Sequence, residues 1–323
     1  MTNIDPTIAA RESAAVFDVS DRGAVEVSGK DAAVFLHNLC TNDIKSLVAG
    51  HGCEFFLTTN KARVIAHGWV HRLTPEKPPT LWLDVSPGAA VKVLQHLNRF
   101  IVSEQVELAD KSADRAQLHI CGPAARPVVE KTLTASLPEL KDRQHEVLPG
   151  GVRVIRHELL GLPGYDLVCD RPIAMDLKKR FEANGAALLG QDAFEILRME
   201  AGLPLDGVDM DENRFVVEVG RIRQAISYTK GCFLGQEPIV MARDRGHANR
   251  TLMGLKISAS EPVPRGAVVM HNGQEVGHVT SSVWSPRLRT VLALAYLKRG
   301  SQEAGTPLQV VGRSGIVAAL PFA

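Results

Sequence analysis

"AVVMHNGQEVGHVTSSVWS", Ala267–Ser285, decides how the chain is divided. Two runs rich in valine and threonine flank Asn272-Gly273, the dipeptide that favours a tight two-residue hairpin turn. Similar short runs lie on both sides: "TLMGLKI" at 251–257, "TVLALAYL" at 290–297 and "PLQVVGRSGIVAALPF" at 307–322. Such closely spaced strands predict a separate C-terminal β-domain from residue 250 onward, a small barrel or sandwich.

Upstream the texture differs. "AVEVSGKDAAVFLHNLC" at 24–40 reads as a strand and then a helix, with Ser28 and Asp31 as a start signal. "CEFFLTT" at 53–59, "ARVIAHGWVHRL" at 62–73, "TLWLDV" at 80–85 and "AQLHICG" at 116–122 read as strands. "SPGAAVKVLQHLNRF" is expected to be a helix capped by Ser86, and "RPVVEKTLTASL" a second. After the "LPGG" turn at 148–151 come strands at 152–159 and 165–170. Helices then follow over "RPIAMDLKKRFEANG" and "GQDAFEILRMEAG". Strands and helices mix without strict alternation, which predicts α+β rather than a doubly wound sheet.

The 323 residues exceed what one core usually serves. With 37 basic and 36 acidic side chains the formal charge is +1, which predicts no general attraction to nucleic acid or anionic membranes. No run approaches the ~18 apolar residues of a membrane span, and the first residues resemble neither a secretion signal nor a transit peptide. The five cysteines, Cys40, Cys53, Cys121, Cys169 and Cys232, are scattered and never in C-x-x-C spacing. Free thiols in a reducing cytoplasm are expected, without a disulfide framework or a self-contained zinc site.

His67 and His71 fall in a strand pattern and are read as ordinary strand histidines, not as ligands sharing a helical face. No phosphate-binding glycine fingerprint occurs. Glu200 sits on the apolar face of its helix, and a structural partner such as an arginine is the favoured reading. "YTKGCFLGQEPIVMARDRGHANR", Tyr228–Arg250, is the one stretch that concentrates chemistry. Cys232 has Lys230 close by, glycines at 231 and 235, and a helix expected over "EPIVMARD". Lys230, the nearby arginines and the helix dipole would all favour a thiolate. A small buried apolar cysteine with charged neighbours is about as well supported by composition. A hydrolase pairing Cys232 with His247 is weaker, because nothing marks an oxyanion hole.

"KGCFLGQE" resembles the K-G-C-[FY]-x-G-Q-E signature of the YgfZ family, folate-binding proteins related to the glycine cleavage T-protein, an aminomethyltransferase. "VFDVSDRGAVEVSGKDAAVFLHNLCTNDI", "LGLPGYDLVCD", "GQDAFEILRMEAGLPLDGVDMDEN" and "GHVTSSVWSPRLRTVLALAYL" are similar to segments shared by both families. The resemblance implies an α+β, three-domain arrangement around a central folate-binding hollow, ending in a small β-barrel. Residues 1–50 with 147–249 would form an interrupted first domain, 51–146 an inserted α+β domain, and 250–323 the barrel. It implies tetrahydrofolate as cofactor. Asp166 would bond the pterin edge beside Tyr165, and Glu200 would line or brace the pocket. Cys232 would be the reactive thiol, with its pKa lowered by Lys230. Gly231, Gly235, Gln236 and Glu237 complete the motif, and Arg243 and Arg250 would brace the loop or bind the folate's glutamate tail. Ala66 and His67 stand where T-proteins carry catalytic acids, which argues against aminomethyl transfer.

The implied function is a folate-dependent accessory role in 4Fe-4S cluster assembly or repair. Its partners would be the assembly machinery or client 4Fe-4S proteins, and any link to tRNA modification would be indirect. Whether such a chain is strictly an enzyme stays open. The alternatives are a T-protein-type aminomethyltransferase and a non-catalytic folate-binding or docking module.

Overall fold

The computed structural model describes residues 5–74, 78–244 and 248–322. In chain order, α1 (Ile8–Glu12) and β1 (Ala15–Asp18) lead to β2 (Gly23–Ser28), α2 (Ala32–Leu39), β3 (Gly52–Thr58), β4 (Val64–Arg72) and β5 (Thr80–Val85). Next come α3 (Ala90–Asn98), β6 (Glu107–Asp110), β7 (Arg115–Cys121), α4 (Ala125–Leu133), β8 (His145–Leu148), β9 (Val152–Arg156) and β10 (Gly164–Asp170). Then α5 (Arg171–Ala183), β11 (Ala187–Leu189), α6 (Gln191–Glu200), α7 (Ile222–Ala225) and α8 (Gln236–Asp244) precede the strands β12 (Arg250–Ile257), β13 (Val268–His271), β14 (Gln274–Ser285), β15 (Thr290–Lys298), β16 (Pro307–Val310) and β17 (Arg313–Ala318).

The strands form three sheets. The first has the order β11-β1-β7-β10-β9-β8, the second β3-β4-β5-β2-β6, and β12 to β17 close into a barrel. The architecture is thus α+β with a six-stranded C-terminal barrel. At the β13–β14 hairpin, Asn272 and Gly273 take φ of 50° and 75°, the left-handed pair that the sequence announces.

Each open sheet buries one face under helices. Leu118, Ile120 and Leu167 of the first pack with Val129 of α4 and Leu177 and Phe181 of α5. Val25, Val27, Leu81 and Leu83 of the second pack with Leu36 of α2 and Val93 and Leu97 of α3. The other two faces meet each other. Ala24 and Trp82 of the second sheet touch Ile155 and Val168 of the first, and Gln117 Nε2 donates to Asp84 Oδ2 across the seam at 3.2 Å. Strand alternation puts polar residues on this inner face: His67, Trp69 and His71 of β4, Gln117 and His119 of β7, Asp166 of β10. In an extended strand, residues four apart point the same way, so His67 and His71 do share a face.

Strand pairing also redraws the expected domain interruption. β2 pairs with β5 and β6, so residues 23–28 and α2 belong with the second sheet. β7 pairs with β1 and β10, so 115–121 belongs with the first. The inserted unit therefore runs over 23–110 instead of 51–146, because the partners that decide membership are distant in sequence. Helix α3 begins at Ala90 with Ala89 as its cap residue, later than the expected Ser86 cap.

The barrel is tied to α6 by a buried ion pair. Arg198 Nη1 lies 3.1 Å from Asp209 Oδ2, with both side chains almost wholly enclosed. Thr280 and Ser281 of β14 donate their hydroxyls to Asp209 Oδ1 at 2.5 and 2.6 Å, and Leu205 N donates to Oδ2 at 3.0 Å. Glu195 also pairs with Arg198, so loss of Asp209 leaves the guanidinium one carboxylate but strips the acceptor from Thr280, Ser281 and Leu205 N. Asp209→Ala is therefore expected to lose about 1–3 kcal/mol of stability, measured by urea unfolding. A loss below 1 kcal/mol would contradict this role.

Candidate functional site

A hollow of about 120 Å³ opens where the two open sheets, the end of α6 and the C-terminal segment converge. Trp69 of β4, Arg143, His157, Arg221 and Pro321 contribute to its wall. Trp69 is clamped by guanidinium groups: the Arg22 and Arg143 Cζ atoms lie 4.8 and 5.0 Å from its ring centroid. Its edge also meets the His157 ring at 4.9 Å.

Carboxylates support this wall from behind, and each is engaged on both oxygens. Glu54 accepts from Arg221 Nε at 2.8 Å and Nη2 at 2.6 Å, and pairs with His67 Nε2 at 2.7 Å. Burial alone would raise its pKa, but the hydrogen bonds from Arg221 and His67 outweigh it and hold the group well below the usual carboxylate range. Asp166 is shared by two imidazoles, with His119 Nδ1 at 2.7 Å from Oδ1 and His157 Nδ1 at 2.5 Å from Oδ2. Burial opposes the charge here too, and the paired imidazoles still keep Asp166 ionised.

The two histidines separate in charge. His119, despite burial, is raised to about 9 by its bond to Asp166. His157 is lowered to about 3, first by burial and then by the Arg143 charge. A neutral His157 that donates Nδ1–H to Asp166 must carry its lone pair on Nε2. That atom is buried without a partner, as are Trp69 Nε1 and Arg143 Nη1. Residues of the wall thus hold one acceptor and two donors with unmet hydrogen-bonding capacity just beneath its surface, a set that, once reached, would suit the edge of a heterocycle bearing both N–H groups and a carbonyl.

The expected site residues scatter. Asp166 lies behind this wall and positions His157, because both its oxygens are already taken. Tyr165 points the other way along β10 into the helix-covered core, with the Arg156 Cζ 5.2 Å from its ring. Glu200 is a brace: it accepts from Arg11, from Ser285 Oγ at 2.6 Å and from Arg287 Nε at 3.0 Å. This is the structural partnership that its apolar helix face suggests.

Lys230 turns inward, toward backbone carbonyls. Its ammonium is buried under the C-terminal end of α2, donating to the carbonyls of His37, Cys40 (2.7 Å) and Asn42 (2.9 Å). Burial lowers its pKa to about 8. Cys232 is exposed two residues later, and α8 begins only at Gln236. Gly231 has open space around it. Gly235 does not: it has φ of 82°, and an added Cβ would lie 2.6 Å from Thr58 Oγ1 and 2.7 Å from Thr59 O. Gln236 and Glu237 form the first turn of α8, with Glu237 exposed. Arg243 braces the segment through Asp244 (2.7 Å) and the Tyr228 ring (4.9 Å). Arg250 opens β12 and lines a different cleft. His247 lies outside the described residues.

Comparison with known proteins agrees with this architecture. Residues 5–230 match the family model described as the GCVT N-terminal domain. Residues 250–321 match the glycine cleavage T-protein C-terminal barrel domain. The mitochondrial aminomethyltransferase of Solanum tuberosum is 30% identical over 99% of this chain and 82% of its own length. An aminomethyltransferase of Clostridium botulinum is 30% identical over 93% of this chain and 82% of its own. The crystal structure of the glycine cleavage system aminomethyltransferase T from Bartonella henselae superposes with a TM-score of 0.90. It covers 98% of this chain and 88% of its own at 23% identity, a likeness of fold.

The buried histidines set an acid limit. His157 and His145 both have folded pKa values of about 3, lowered by burial and then by neighbouring arginines. Unfolded, they titrate near 6.5. Between those values the unfolded chain binds the extra protons, so the share of these two groups is full above about 6.5 and falls as the pH drops toward 3, while His119, raised to about 9, acts in the opposite sense and loses its share as the pH rises through 9. Urea unfolding between pH 7 and 4 should show a decline of up to about 1.4 kcal/mol per pH unit for each group. His145→Asn should flatten the slope, and an unchanged slope would contradict the assignment.

Proposed function

The chain belongs to the glycine cleavage T-protein family, and we propose that it binds a tetrahydrofolate by its pterin end at the hollow as a YgfZ-type accessory protein in 4Fe-4S cluster assembly or repair, with Cys232 as its working thiol. The family is one that uses tetrahydrofolate. Trp69 Nε1 and Arg143 Nη1 would donate to the pterin's carbonyl and ring nitrogens, and His157 Nε2 would accept from its N–H edge. When bound, tetrahydrofolate supplies nitrogen atoms able to carry a one-carbon unit.

The state of the buried carboxylates carries the accessory reading. Glu54 and Asp166, the acids behind the hollow, are ionised and engaged on both oxygens. A carboxylate so held is a poor proton acceptor, since its lone pairs and its charge are already compensated. Histidine at 67 serves to hold Glu54. Cys232, by contrast, stands in solvent on a loop fixed from beneath by Lys230.

The names of the relatives favour a second reading, T-protein-type aminomethyl transfer, and they do so more directly than they favour the first. Purified protein assayed with tetrahydrofolate and a lipoyl-bound aminomethyl donor separates the two. The accessory reading expects tetrahydrofolate binding by calorimetry, weakened at least tenfold in His157→Leu, without turnover. In a strain lacking its own family member, Cys232→Ala should fail to restore the activity of a 4Fe-4S enzyme that the unaltered chain restores. Turnover establishes the transferase reading. Equal rescue by both chains, without turnover, leaves a folate-binding or docking module.

A further inference from the structure

A second cleft, of about 530 Å³, lies at a junction of three parts of the fold. Its wall combines Arg63 from the β3–β4 turn, Arg214 and Glu218 from the segment before α7, and Arg250, Lys298 and Arg299 from the β12 and β15 end of the barrel. Five cations meet one carboxylate there, in a chain whose formal charge is only +1. Among the described residues none of the five takes part in an ion pair, whereas Arg11, Arg22, Arg115, Arg198 and Arg221 all do.

Neutral contacts hold these cations in place. Arg63 Nη1 donates to Asn213 O at 2.7 Å. The Arg214 guanidinium lies 3.9 Å from the centroid of the buried Tyr296 ring. Lys298 Nζ donates to Glu275 O at 2.9 Å. Arg250 and Lys298 are direct partners across β12 and β15, and Arg299 N bonds Asn249 O at 3.0 Å. Glu218, the sole acid, already accepts from Phe215 N at 3.3 Å. Each such contact fixes a side chain or its backbone without cancelling its charge. The cleft therefore presents a concentrated positive field, the arrangement that raises local anion concentration and offers forked donors to tetrahedral oxyanions.

We propose that this cleft binds a small molecule bearing two or more linked phosphates. Linked phosphates match it better than a chain of carboxylates does. They place several negative charges within a few bonds of one another, as a cluster of five cations on one wall favours, while successive carboxylates of a γ-glutamyl chain are separated by many bonds. Binding there would neutralise the repulsion among cations drawn from separate parts of the fold, and would thereby clamp the barrel to the β3–β4 turn.

Tripolyphosphate is the probe, titrated into the full chain by calorimetry at 50 and 200 mM KCl. One equivalent is expected to bind. Affinity should fall at least tenfold in Arg299→Gln and further in Arg214→Gln/Arg299→Gln, and should also fall at the higher salt. Arg115→Gln, which removes a charge at the start of β7 in the first sheet, outside the cleft's lining, should change affinity less than twofold. Arg299 is exposed, so its variant tests the cleft even if loss of the Arg214–Tyr296 contact unfolds the double variant. Absence of tripolyphosphate binding overturns the proposal, as does equal weakening by Arg115→Gln. Tri-γ-glutamate binding as tightly as tripolyphosphate overturns the phosphate assignment.

Discussion

One carboxylate, Asp166, sits between two imidazoles at the seam of two β-sheets, and much of the molecule is arranged around keeping it charged there. An ionised acid away from water is tolerated only when its oxygens are fully engaged. His119 and His157 meet that demand, one cationic and one neutral. The constraint spreads outward. β7 and β10 must hold their register, since His119 and Asp166 are opposed partners in the ladder. β9 must run on into His157 at the hollow. Along the same seam Arg221 and His67 hold Glu54 charged in the same way, whereas burial raises the Asp84 carboxyl although Arg22 and Gln117 bond it. An inner face that would conventionally be apolar becomes a row of polar groups, and of its unmatched atoms Trp69 Nε1, Arg143 Nη1 and His157 Nε2 belong to residues of the hollow, while His71 Nδ1, Trp82 Nε1 and His119 Nε2 lie elsewhere along the seam.

This explains what was legible in the sequence. The barrel was, because its strands are short, successive and joined by turns such as Asn272-Gly273 whose chemistry is local. The mixed α+β character was legible for the same reason. The extent of the inserted unit was not, because β2 finds β5 and β6 only after long intervening segments, and β7 finds β1 across the whole of that unit. Alternation in "VIAHGWVHR" held a signal that His67, Trp69 and His71 lie on one side. It could not say that the side faces another sheet instead of solvent. Arg143 and Arg221 carry no local mark at all, since their roles depend on Trp69 and Glu54, which are far away in sequence.

The motif around Cys232 illustrates the opposite hazard. A lysine two residues from a cysteine invites an electrostatic reading, yet two residues of irregular chain are enough to send the side chains in different directions. Lys230 turns inward, where its ammonium satisfies three carbonyls at and just beyond the end of α2, those of His37, Cys40 and Asn42. Gly235 permits the next contact, letting the chain pass against the β3–β4 turn where any Cβ would collide. The residues of the motif thus shape and anchor a loop, and the thiol is what the loop displays.

That display separates Cys232 from the other four thiols. Cys40, Cys121 and Cys169 are buried, and Cys53 is partly covered. Burial raises the Cys40 thiol to about 12 and Cys169 to about 11, and pushes Cys53 higher still. In mildly alkaline buffer these three stay protonated and unreactive, and Cys121 is sealed in the core. The native chain consequently carries a built-in handle: a maleimide fluorophore or spin label would settle on the motif loop alone, and could follow its surroundings without any cysteine first being removed.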